Sequence, residues 1–231
     1  MQTLQLSHPW NALAFALLMM CVRDSTAATL ITFDRPNLVV VLDQGEMRGF
    51  YTGNTTKPSA ASGSDNIECT FMFMKVKGQN ALNVRSLDRP ATNWNAAPYA
   101  EGAIMVQGPV WQLQFLDRPR GCARQYDKDE IVVPPADPGA NLTHHAARGA
   151  RFAAIAHSSV IGIRWVGLDT FIQRNTGGKF MSTIEKIPTG TLVVALRKSG
   201  PYTEVQHVDL KTNRKVRAWV HSTKLTDPYP N

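Results

Sequence analysis

Three cysteines, six histidines and eighteen carboxylates are the residues of this 231-residue chain that could make or break bonds. A cysteine nucleophile needs a thiolate beside a histidine, in a setting that lowers the thiol pKa, such as a helix N-terminus. Cys69 lies in a strand-like run and Cys122 at a strand end, so neither has that setting. A serine hydrolase presents its nucleophile on a Gly-x-Ser-x-Gly turn. The chain has no such motif, and Ser62, in Ala61-Ser62-Gly63-Ser64, reads as a loop residue. Zinc requires three or four ligands at constrained spacing. His144 and His145 are adjacent and point in different directions in any regular element, while His157, His207 and His221 are scattered. Asp43, Glu46, Asp65 and Glu68 fall in turns or polar loops, where a solvated acid is the default. These residues predict no catalytic site, no metal and no cofactor. A glycan hydrolase acting through carboxylates alone is the weakest function considered.

The N-terminus carries the clearest targeting signal. Ala12–Val22 (ALAFALLMMCV) has the length of a signal-peptide core, and Ser25-Thr26-Ala27-Ala28 offers small residues for cleavage after Ala27 or Ala28. No Lys or Arg precedes the run, which departs from the usual pattern. The expected compartment is the periplasm or beyond, with lipid attachment at Cys21 disfavoured by the Leu18-Met19-Met20 before it. No window reaches the roughly 18–20 apolar residues of a membrane span. Cleavage would leave Cys69 and Cys122, an even number in a compartment that permits disulfides. A bridge between them would stabilise the fold by about 4 kcal/mol on the chain-entropy estimate.

Net charge is +7 and is unevenly placed. Val160–Asn231 holds eleven Lys/Arg against five Asp/Glu, whereas the rest of the expected mature chain is nearly balanced. Such an excess favours acidic partners. Nucleic acid is not among them, since an exported chain without a recognition motif gives no reason to expect it.

The elements that must position these residues read as β-structure throughout. Leu38–Leu42 and Arg48–Thr52 flank a turn at Asp43-Gln44-Gly45 and form an expected hairpin. Cys69–Val76 alternates Cys69, Phe71 and Phe73 with Thr70, Met72 and Met74; both faces are largely apolar, so the strand should be covered on two sides. Ala81–Arg85, Ala103–Gln107 and Val110–Leu116 follow, the last alternating Trp111, Leu113 and Phe115 with glutamines. Residues 127–159, rich in Pro, Gly and Ala, read as a linker. Strands then resume, with turns at Asn175-Thr176-Gly177-Gly178 and Lys198-Ser199-Gly200-Pro201. The last strand ends Ala218-Trp219-Val220-His221-Ser222, and its alternation places Trp219 in the core sooner than in a groove.

Those hairpins and the final Trp-Val strand resemble the bacterial SH3 domain, whose last strand reads Gly-Trp-Val; Ala218 here replaces the glycine. The preceding Cys-x-Phe-x-Phe strand and the Gly121-Cys122 turn resemble the β-domain of secreted bacterial SH3-domain proteins. With the signal peptide read over 1–28, the resemblance implies a small meander or barrel over 29–126 held by a Cys69–Cys122 disulfide. It also implies an SH3-like barrel over 160–231. It further implies a ligand surface lined by Phe171, Phe180, Tyr202, Trp219 and His221, to which the basic turn adds Lys211, Arg214, Lys215 and Arg217. The expected function is non-catalytic binding of cell-wall peptide or an envelope protein. The alternative is an immunity or inhibitor protein that neutralises a secreted effector enzyme.

Overall fold

Two-residue periodicity runs through nearly every element, which is why the chain builds sheets, with one short helical turn among the described residues. A computed structural model describes residues 27–54, 68–75, 82–86, 99–115, 151–209, 212 and 214–229. The fold is all-β, as the sequence predicts. Residues 1–26, the Cys69 side chain, Cys122, residues 127–150 and Lys211 lie outside the described residues, and with them the expected disulfide and most of the expected signal segment and linker.

The first eight strands form a closed antiparallel barrel in chain order. They are β1 (Ala28–Phe33), β2 (Leu38–Asp43), β3 (Glu46–Asn54), β4 (Glu68–Lys75), β5 (Leu82–Ser86), β6 (Tyr99–Gln107), β7 (Val110–Phe115) and β8 (Arg151–Val160). The β2–β3 hairpin turns on Gln44 and Gly45, both at positive φ, the two-residue geometry whose twist matches the strands it joins. β8 closes the barrel on β1 and β7. The linker expected through residue 159 is therefore corrected: from Arg151 onward the chain is a barrel strand. Composition misled because Ala153, Ala154, Ala156, Ser158 and Ser159 are weak strand formers, and ladder pairing to β1 overrides that preference.

Alternation assigns each residue a face. Ile31, Phe33, Leu38, Val40, Tyr51, Phe71, Phe73, Val84, Trp111, Leu113 and Phe152 fill the interior. Phe33 meets Trp111 and Phe152 edge-on, and Tyr51 stacks on Phe71. Gly49 faces Phe73 across the β3–β4 ladder. A Cβ at Gly49 would lie 2.2 Å from the Phe73 ring and 2.5 Å from the Val39 carbonyl oxygen, so glycine is required by close approach.

The second sheet contains β9 (Gly162–Val166), β10 (Thr170–Thr176), β11 (Lys179–Ile187), β12 (Leu192–Ser199), β13 (Tyr202–Asp209), β14 (Arg214–His221) and β15 (Leu225–Thr226). Its spatial order is β11-β10-β14-β13-β12-β9-β15. A single 3-10 turn, Ser222–Lys224, precedes β15. The sheet curls on itself, because Ile187 of β11 shares a small core with Val166, Val193, Val205, Ala218, Val220 and Leu225.

Both sheets meet over a second apolar core. The outward residues of β1–β4 (Ala28, Leu30, Val39, Val41, Phe50, Met72, Met74) pack against Val160, Ile163, Trp165, Leu192, Val194 and Tyr229. This is the two-sided cover predicted for β4. Tyr229 is fully buried in that junction and its hydroxyl donates to the Gly49 carbonyl at 2.7 Å. Burial raises its pKa far above the ordinary tyrosine range. Asp227 lies 3.7 Å from Arg48 of β3 and 3.5 Å from Arg164 of β9, and the Arg48 guanidinium rests 5.4 Å over the Tyr229 ring.

Candidate functional site

The strand alternation that fills the second sheet's core leaves its other face with an organised set of side chains. Ala218 and Val220 of β14 point into the core, so Trp219 and His221 point away from it. The core placement expected for Trp219 is thereby corrected: it is half-buried on the outer face, because the small alanine and valine beside it are the inward pair. On β13 the same rule puts Tyr202, Glu204 and Gln206 on that face while Thr203 and Val205 are buried.

Ladder pairing lines these residues up. Arg197, Glu204, Trp219 and Gln173 form one cross-strand row over β12, β13, β14 and β10. Ser199, Tyr202 and His221 form the next, and Gln206 pairs with Arg217 beyond the first. The β10–β11 hairpin adds Phe180, which stacks on Tyr202 with ring centres 4.2 Å apart and meets Trp219 edge-on at 5.2 Å. Tyr202 meets His221 edge-on at 5.5 Å. Arg197 lies 5.4 Å over the Trp219 ring, held there by a 2.7 Å bond from its Nε to Glu204. The Glu204 side chain is 13% exposed and that of Arg197 is 70% exposed, so the pair offers its cationic end to solvent.

His221 is oriented by the 3-10 turn that follows it. The Thr223 amide donates to Nδ1 at 3.4 Å, and the Thr223 hydroxyl contacts the same atom at 2.8 Å. Since an amide can only donate, Nδ1 accepts and the neutral ring carries its proton on Nε2.

The sequence-predicted residues separate into two groups. Tyr202, Trp219 and His221 come together with Phe180, and Arg217 lies on the same face two residues before Trp219. Lys215 continues that face at half burial, and desolvation lowers its pKa. Arg214 is exposed opposite Asp209, and alternation puts it on the other side of β14. Phe171 is exposed under the Lys186 ammonium, 4.6 Å from its ring centre. It makes no ring contact with the four-ring group among the described residues. Arg197 and Glu204 were not singled out in the sequence. The signal for them existed: each sits two residues outside the turn at Ser199–Tyr202, and hairpin pairing makes such positions neighbours.

Among the described residues no three His, Cys, Asp or Glu side chains converge as a metal site. Glu46 accepts from Arg48 at 3.0 Å. No helix among them is long and apolar enough to cross a membrane. The arrangement can stack rings, place cations beside them and hold both rigidly. Compared with known proteins, the chain matches no family model, no curated protein and no solved structure.

Proposed function

We propose that this protein is an exported, non-catalytic binding protein whose second sheet is an SH3-like module. Its contact surface for an acidic partner, a protein segment or cell-wall peptide, is the face bearing Tyr202, Trp219 and His221. The observation that carries this reading is the row of partly exposed rings with Arg197 and Arg217 alongside. Aromatic rings bury large area at small entropic loss, and binding energy in interfaces concentrates on such residues and on arginine. The basic excess of Val160–Asn231 supports an acidic partner. A small barrel must bring its last strand back to its first, and the return of β15 to β9 after one 3-10 turn supports the SH3-like assignment. Export is supported by the Ala12–Val22 run and the small residues that follow.

The test is retention on purified peptidoglycan and on immobilised poly-glutamate, for wild type, Trp219→Ala and Arg217→Glu. Retention of wild type on at least one matrix, reduced about tenfold or more in Trp219→Ala, supports the reading. No retention on either matrix, or equal retention of all three proteins, overturns it.

A further inference from the structure

Phe180 belongs to the surface only through the position of its hairpin. The β10–β11 hairpin is fixed at its base, where Thr170 and Ile187 are buried and the Thr189 amide and hydroxyl donate to Asp169 at 2.8 and 2.9 Å. Beyond the base, its ladder to the rest of the sheet consists of one position, Gln173 opposite Trp219. Between the pairs Phe171/Lys186 and Gln173/Ser182, β11 carries two more residues than β10. This bulge is organised by Thr183, whose hydroxyl donates to the Ile172 carbonyl and accepts from the Glu185 amide. The tip turns on Gly177 and Gly178 at positive φ. Ile172 still packs on the core, and beyond Gln173 the hairpin is a two-stranded lever, an arrangement of marginal stability by itself, whose Phe180 ring rests on Tyr202 and Trp219.

The seat that Phe180 fills is shaped for a ring. Tyr202 supplies a flat face, Trp219 stands nearly perpendicular to it, and His221 flanks Tyr202. Cations lie beside it: Arg197 over Trp219 and Arg217 two residues before it on β14, with Lys215 farther along the same face.

We propose that Phe180 is an internal occupant of the seat that receives an aromatic side chain of the partner. The partner is accordingly a protein segment that carries acidic residues around an aromatic one, and the outer β10–β11 hairpin lifts from Tyr202 to admit it. This inference rests on the face of Tyr202 and Trp219 being the contact surface. The energetic consequence is direct. A partner that must displace Phe180 binds with an affinity reduced by the fraction of time the seat is open, and removing the internal ring removes that reduction.

The experiment measures binding isotherms of poly-glutamate and of a random glutamate–tyrosine copolymer to wild type, Phe180→Ala, Phe180→Leu and Trp219→Ala. Thermal melts confirm that each is folded. Losing the competing ring should strengthen copolymer binding by about 2- to 10-fold, the range of one aromatic contact, while poly-glutamate binding stays unchanged. Phe180→Leu keeps an apolar side chain on the hairpin and should move in the same direction. Trp219→Ala should weaken both probes. If the Phe180 variants bind the copolymer no better, or worse, while Trp219→Ala still weakens it, the plug is overturned and Phe180 is an ordinary part of the surface. If Trp219→Ala leaves both isotherms unchanged, or wild type binds neither probe, the contact surface itself is wrong.

Discussion

At the scale of single residues, the two faces of β14 separate structure from function. Ala218 and Val220 are buried, and Trp219 and His221 are half-exposed. Reading Trp219 as core rests on its alternating strand, but periodicity gives only two faces and does not say which one is inward. Which face is inward was decided by β13, where the buried Val205 pairs with Ala218. That information is long-range and is not local to either strand. His207 provides a residue-scale prediction. Desolvation lowers its pKa, opposed by the Val208 backbone and the Asp209 charge, and its Nε2 is buried without a hydrogen-bond partner among the described residues. The unfolded chain therefore takes up the proton more readily. His207 leaves stability undiminished above about pH 6.5 and subtracts from it as pH falls from there toward the lower folded value. Urea midpoints measured at pH 7.5 and 5.5 should differ by less in His207→Leu than in wild type. An unchanged difference would show that other groups set the acid sensitivity. Tyr229→Phe should lower stability by about 1–2 kcal/mol, since it leaves the Gly49 carbonyl buried without its donor. A chemical denaturation curve identical to wild type would show that this hydrogen bond contributes nothing net.

At the scale of elements, most strands were legible because their apolar residues alternate cleanly. The β2–β3 hairpin, β4 with both faces covered, and the β6–β7 pair with its Gly108-Pro109 turn are all where the pattern places them. β8 was not, because a strand of alanine and serine carries no such pattern and is made by its neighbours. The β10–β11 hairpin was legible as a turn, yet its bulge depends on side-chain bonds from Thr183 that no periodicity encodes. Asp169 is the element's anchor. Hydrogen bonds from the Thr189 amide and hydroxyl hold its carboxyl below the usual aspartate range. The clamp is accordingly complete above that range and is lost as pH falls through the lowered value. Asp169→Ala should speed amide exchange across residues 170–187 while leaving β12 and β13 protected. Exchange rates unchanged in the hairpin would mean that Thr170 and Ile187 alone secure its base.

At the scale of the whole molecule, an expected pair of separate domains is joined by a shared apolar core. Leu30, Val41, Phe50 and Met72 of the barrel pack with Ile163, Trp165 and Val194 of the second sheet, and the C-terminal Tyr229 is buried in the same layer. The sheets should then unfold together. Phe50→Ala, which removes a fully buried ring at that layer, should cost about 3–5 kcal/mol and shift a single calorimetric transition. Two separated transitions in the wild-type protein would refute the joint unit. The same rigidity fixes the aromatic face of β13 and β14 relative to the barrel, so the partner meets a pre-formed surface with only the hairpin left to move. That surface is the central claim, and a two-dimensional amide and indole NMR titration with poly-glutamate tests it most directly. Shifts concentrated on Arg197, Tyr202, Arg217, Trp219 and His221, with the barrel strands unmoved, are the predicted result. Shifts centred on the barrel, or none at all, would contradict it.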